Sequence, residues 1–350
     1  MKGSRMTREE TRKLLDEYVK YLMRESDAEH PMWNVEKVRS GKPNKWNYID
    51  GCMITALLRL HGKTGDAEYL DFADRFVSHF VQEDGSILTY DPEEYNLDNV
   101  RPACNLFALY DLTGRQKYRL AMDTVRGQLE KHPRTNEGNF WHKKIYPHQV
   151  WLDGLYMAQP FYAEYERRYN KMTGCLDSFK QFRNVYRLMR DDKTGLYYHG
   201  YDESREMYWA DRETGHSPNF WLRATGWYMA SLIDTAEAMG EELYNEYRTL
   251  QNTLKELADS LMNYMDPETH MFHQVIDKPE AEGNYLETSG SSMLAYAMLK
   301  GARLGVLDKE YAAKGEKTFR GIVEKYLSFT EGELNLGGIC LVAGLGPENN

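Results

Sequence analysis

The chain has 350 residues, of which 41% are hydrophobic, 28% charged and 13% aromatic, with 26 Tyr and 7 Trp. A formal net charge of −10 argues against nucleic acid and anionic membrane surfaces as partners, and no run of about 18 apolar residues offers a membrane span. The length sets two domains as a prior, but a repeat-built barrel accommodates it in one.

The N-terminal stretch MKGSRMTREETRKLLDEYVKYLMRE has no apolar signal-peptide core and reads as an amphipathic helix. Thr7 and Glu10 have capping-box spacing at its start. A cytoplasmic location is expected. Cys52, Cys104, Cys175 and Cys340 are scattered without a CxxC pair, which fits free thiols in a reducing compartment. There is no HExxH, phosphate loop, dinucleotide fingerprint or zinc-spaced His/Cys cluster, so neither a metal nor a nucleotide cofactor is expected.

A loop rich in Pro, Gly and Lys leads to Trp46, and helical periodicity then runs from Tyr48 to Leu60 and from Asp66 to Val81. The next unit repeats the plan, with helices over Leu97–Leu112 and Gln116–Lys131 and a similar Thr-Gly turn between them. Further pairs follow at Trp151–Tyr169 with Leu176–Arg190, Phe220–Met239 with Glu242–Met265, and Leu286–Leu304 with Lys309–Leu327. The period is roughly 50 residues, the signature of a stacked repeat. One helix of each pair opens with polar and aromatic residues mixed with Gly, and the other is charged on one face, as inner and outer helices of a double ring require. The pattern predicts an all-α (α/α)6 barrel of helical hairpins, as one domain over residues 1–350. The Gly-rich stretch GELNLGGICLVAGLGPENN stands where the last inner helix is expected, so either the sixth hairpin is incomplete in this chain or the C-terminus is cut back.

The densest chemistry lies in NFWHKKIYPHQVWLDGLYMAQPFY, residues 139–162. Asp153 is its one carboxylate, set among Trp141, Tyr146 and Trp151 with His142 and His148 nearby. Desolvation raises the pKa of such a group, the profile of a general acid; the plainer alternative is a buried cap or hydrogen-bond acceptor. Gly154 is costly in a helix and implies a close approach to the backbone. Asp98 opens the preceding inner helix, either as a helix N-cap or as a second carboxylate at the same rim, where two acids suit work on a sugar. His199, in Tyr197-Tyr-His-Gly-Tyr201, is either a substrate wall or a backbone-bonded structural His. Arg223 stands one turn before Trp227 on the same helix face, either binding an anion and a ring or stacking in the core. Ser289 belongs to Thr288-Ser-Gly-Ser-Ser292, where free helix N–H groups bind anions or small residues simply cap and pack.

The combination of WLDGLYMAQPFYAEY, SPNFWLRATGWYMA and YLETSGSSMLAYA resembles glycoside hydrolase family 105, the unsaturated rhamnogalacturonyl hydrolases, and is more distantly similar to the unsaturated glucuronyl hydrolases of family 88. The similarity runs from Trp46 to Gly338, where relatives continue into another helix. The resemblance implies the barrel, an intracellular enzyme, and a small-molecule substrate: the acidic disaccharide left by a pectin lyase, with a 4,5-unsaturated galacturonic acid on rhamnose. It implies Asp153 as acid/base, Asp98 as the second carboxylate, His199, Arg223 and Trp227 around the uronate, and Trp46 and His142 as further pocket members, without a cofactor. An unsaturated glucuronyl hydrolase acting on other lyase-derived oligosaccharides, a sugar epimerase on the same toroid using His142, His148 and His199, and a non-catalytic sugar-binding protein are the competing readings. The second-subsite sugar and the oligomeric state are not legible.

Overall fold

A computed structural model describes residues 7–330, 333–341 and 343–345. Twelve α-helices run through the described residues: α1 (Arg8–Arg24), α2 (Val35–Ser40), α3 (Tyr48–Thr64), α4 (Ala67–Phe80), α5 (Cys104–Thr113), α6 (Gln116–Lys131), α7 (Leu152–Tyr169), α8 (Cys175–Met189), α9 (Leu222–Met239), α10 (Tyr244–Leu261), α11 (Thr288–Arg303) and α12 (Glu310–Tyr326). Two short antiparallel ribbons join them, β1 (Gln149–Trp151) with β2 (Gly200–Asp202) and β3 (Leu327–Thr330) with β4 (Glu333–Leu336). The fold class is all-α, of the (α/α)6-barrel kind. The chain divides into two compact units, residues 1–90 with 102–124, and residues 91–101 with 125–350.

In the first unit the predicted capping box is present: the Thr7 hydroxyl accepts from the Glu10 N–H at 3.2 Å and Glu10 reaches back to the Thr7 N–H at 2.7 Å. Helices α3 and α5 meet where Gly51 faces Pro102, whose Cα would lie 2.8 Å from a Cβ at residue 51. The buried carboxylate of Asp50 accepts from Trp33, Asn44 and Asn47 at 2.7–2.9 Å. The Pro/Gly/Lys loop holds the short helix α2, which its sequence does not announce; Asn34 caps it and Gly41 ends it in the left-handed conformation.

In the second unit α7, α9 and α11 pack side by side, and α7 and α9 are buried almost all round, as inner helices must be. Gly226 of α9 and Gly290 of α11 make the closest approach: a Cβ on either would overlap Met293 or Leu222. The partner helices α8, α10 and α12 each bury one face and expose the other.

One device recurs at the helix N-termini. In four inner segments the first N–H donates to a carbonyl in the loop that follows the next hairpin turn: Leu97 to His142 at 3.2 Å, Leu152 to His199 at 3.0 Å, Leu222 to Gln274 at 2.8 Å and Thr288 to Gly338 at 2.8 Å. These bonds satisfy orphan donors and tie consecutive loops together at one end of the unit.

One expectation is corrected. Residues 97–112 are not one helix: two 3-10 turns, Leu97–Asn99 and Arg101–Ala103, precede α5, because Pro102 has no N–H to continue a helix through this stretch. Beyond α12, where the sequence offers no complete inner helix, the described chain forms the β3–β4 ribbon and an extended segment.

Candidate active site

Asp153 occupies the first turn of α7, directly after β1. The ribbon pairs Trp151 with Gly200 and Gln149 with Asp202, and the Leu152 N–H holds the His199 carbonyl. This brings the His199 Nε2 to 3.1 Å from Asp153 Oδ2, out of line for a hydrogen bond, and neither atom has another hydrogen-bond partner. His142 arrives by its own backbone, its N–H donating to Gln149 and its carbonyl accepting from Leu97. That second bond places the Leu97–Asn99 turn, so Asp98 joins the group. Asn96, not Asp98, caps the turn, which leaves the Asp98 carboxylate for Lys143 at 2.6 Å and His142 at 3.7 Å.

Burial is the largest influence on Asp153 and pushes its carboxyl up, but the charge and proximity of His199, then His142, outweigh it and hold the group below its ordinary value. This overturns the raised pKa expected from the aromatic setting. Burial pushes His142 down to about 4, so the ring is neutral at pH 7. Burial also opposes the charge on Lys143, yet Asp98 keeps its pKa above the ordinary value. Lys143 is therefore the charge that meets Asp98.

The walls are aromatic. Trp151 stacks on His142 with centroids 4.5 Å apart and on Tyr146 at 5.0 Å, and meets His199 edge-on at 5.3 Å. Trp221 lies 4.8 Å from His199 and carries the Arg223 guanidinium over its ring at 4.7 Å. Arg223 also donates to the Cys340 carbonyl. The expected Arg223–Trp227 pairing is not formed: Trp227 stacks on Tyr156 at 4.7 Å, and Arg101 lies 4.0 Å over the other partner in that stack, Tyr156. Ser289 presents no free N–H. The buried Glu287 carboxylate accepts from the N–H groups of Ser289 and Gly290 and from the Ser289 hydroxyl. Trp46 belongs to the first unit, buried and edge-on to Phe80 at 6.1 Å. Gly154 is required because a Cβ there would come within 3.1 Å of both His142 Nδ1 and Leu97 Cδ1.

Lys143, Trp221 and Arg101 escaped the sequence reading. In an extended segment Lys143 would point away from His142; bridges from Lys143 to Asn96 and Tyr146 bend the backbone so that both reach Asp98. Among the described residues, no group of three or more His, Cys, Asp or Glu could hold a metal ion, and no helix is long and apolar enough to cross a membrane.

The family model for glycosyl hydrolase family 88 matches residues 16–349. A family 105 glycoside hydrolase from C. acetobutylicum is 39% identical, superposes with a TM-score of 0.85, and is covered over 94% of this chain and 89% of its own. The chain belongs to glycosyl hydrolase families 88 and 105. This hydrolase is also 25% identical to the unsaturated rhamnogalacturonyl hydrolase YesR of Bacillus subtilis over 74% of its own length and 72% of that protein. It shares the fold of the unsaturated glucuronyl hydrolase of Bacillus sp. GL1, with 18% identity, a TM-score of 0.62, and coverage of 85% and 80% of the two chains. It is therefore a carbohydrate-degrading hydrolase, similar to the unsaturated glycuronyl hydrolases, and its substrate is a small sugar.

Proposed function

We propose that this hydrolase removes a 4,5-unsaturated galacturonic acid from rhamnose in pectin lyase products, inside the cytoplasm and as a single catalytic domain. The observation that carries the reading is Asp153: one buried carboxylate beside His199, while the second acid, Asp98, is matched by Lys143. Two free carboxylates flanking a glycosidic bond are what ordinary hydrolysis requires. One acid beside an imidazole instead suits protonation of a carbon.

In the substrate the C4=C5 bond is a vinyl ether conjugated to the ring oxygen. Asp153 donates a proton to C4, and positive charge develops on C5 and the ring oxygen. Asp153 then takes a proton from the water that adds at C5. The hemiketal opens by breaking its bond between C5 and the ring oxygen, and the anomeric carbon, now a hemiacetal, expels the second sugar. The unloaded carboxyl is held low by His199. A substrate carboxylate adds like charge beside it, which raises a carboxyl pKa and favours the protonated acid. Asp98 orients the sugar or stabilises the cationic transition state, with Lys143 limiting its charge. His142, Trp151 and Trp221 form the walls and Arg223 meets the uronate, with Trp227, Trp46 and Ser289 as further substrate-binding candidates.

The assay is loss of the ultraviolet absorbance of lyase-digested rhamnogalacturonan, because hydration destroys the chromophore. Decay at wild-type enzyme concentrations with release of rhamnose is the expected result. Stable absorbance, or equal action on saturated galacturonosyl-rhamnose, would contradict the reading.

A further inference from the structure

Gly200 follows His199 in the chain and lies against two indoles: a Cβ there would be 3.5 Å from Trp151 Cδ1 and 3.5 Å from Trp209 Cη2, so the missing side chain leaves a slot between them that its own residue does not fill. Trp209 is buried and its indole N–H has no acceptor. The loop that carries it is fixed by Asp202, wholly buried, which accepts from the N–H groups of Ser204, Glu206 and Met207 at 2.9–3.0 Å and from the Ser204 hydroxyl at 2.7 Å. Two indoles over a glycine floor are a seat for a sugar ring, whose apolar face packs on an aromatic and whose hydroxyls answer an N–H.

The slot has an occupant from the same chain. The Leu345 side chain lies against Gly200 closely enough that a methyl group at residue 200 would overlap its Cδ1, and a Cβ on Gly344 would lie 3.9 Å from the Trp151 ring. Residues 337–341 are tied at the N-terminus of α11: the Thr288 N–H and hydroxyl each donate at 2.8 Å to the Gly338 and Gly337 carbonyls, and the Cys340 N–H donates to Glu287 at 3.0 Å. The last tie is the Arg223 guanidinium on the Cys340 carbonyl.

We propose that the slot between Trp151 and Trp209 is a second sugar subsite held closed by Leu345, and that Arg223 is its latch. This rests on the reading of the site as one for an acidic sugar. A guanidinium bonds a carboxylate more strongly than a neutral carbonyl, so an arriving uronate takes Arg223 from Cys340. Leu345 then leaves the slot to the neutral sugar that follows the uronate. Such an internal competitor reduces apparent affinity by the fraction of molecules in which the slot is open.

The test uses the full chain, with Leu345→Ala to empty the slot and Gly200→Ala to fill it. Leu345→Ala should lower KM for the unsaturated disaccharide by about threefold or more, with kcat changed less than twofold. Gly200→Ala should raise KM while still evicting Leu345, seen as faster hydrogen exchange at the Cys340 N–H. In the wild type, galacturonate alone should speed that exchange and rhamnose alone should not. Unchanged or raised KM in Leu345→Ala, or exchange indifferent to galacturonate, would overturn the proposal. If the wild type left the unsaturated disaccharide intact, the proposed reaction would fall, but the exchange response to galacturonate would still decide the latch.

Discussion

Asp153 is the residue to which the proposal gives the chemistry, and its environment is set by residues distant in sequence. Its aromatic neighbours are visible around it in the chain, and they predict an elevated pKa. His199 comes from another hairpin and reverses the sign. That reversal was not legible, because it depends on the β1–β2 register rather than on local composition. Asp153→Asn keeps the shape but has no carboxyl proton to give, so kcat should fall by about 10²–10⁴-fold while substrate still binds; titration calorimetry and initial rates separate the two. His199→Gln removes the strongest lowering influence and leaves burial, so the Asp153 carboxyl should titrate at higher pH than in the wild type. Carbon-13 NMR of labelled aspartate reads this directly, and an unchanged or lower midpoint would count against the pairing. Asp98 was legible as a second acid but not as the partner of Lys143, since its release from a capping role follows from Asn96 taking that role.

At the level of elements, α7 shows how a helix can be tuned for a neighbour. Gly154→Ala should favour the isolated helix by about 1 kcal/mol, yet the new methyl would press on His142 and Leu97. The expected outcome is a clear drop in kcat, because His142 belongs to the candidate site, together with a smaller loss of melting temperature from crowding the core residue Leu97. Gly290→Ala is the opposite case: its methyl would meet Leu222 where α9 and α11 touch, and crowding of that kind costs roughly 1–3 kcal/mol, measurable by denaturant unfolding. The hairpins themselves were readable because inner and outer helices differ in how much of their circumference is apolar. Pro102 also gave warning of the broken stretch before α5, but a helical pattern of apolar residues on both sides masked it. The ribbon β1–β2 was unreadable as a pair, since three-residue strands carry too little alternation to register.

Across the whole molecule, a net charge of −10 would repel the acidic substrate proposed above, so the proposal relies on Arg223, over the Trp221 ring, as the cation that meets it, Lys143 being matched by Asp98. Burial also makes the fold acid-sensitive. His132 and His142 are both pushed down to about 4 by burial. The unfolded chain therefore takes up protons first, and stability should fall as pH drops from about 6.5 to about 4, by on the order of 3 kcal/mol for each histidine. Asp50, whose carboxyl burial raises, works in the opposite direction. Chemical denaturation at stepped pH should show the decline, and it should shrink in His132→Gln if the variant folds. The most direct measurement on the central claim is the reaction of the unsaturated galacturonyl-rhamnose disaccharide in D₂O, followed by NMR of the product. Protonation of carbon by Asp153 predicts one deuterium at C4, with the label and the turnover lost together in Asp153→Asn. A product released without deuterium at C4, or full turnover in that variant, would contradict it.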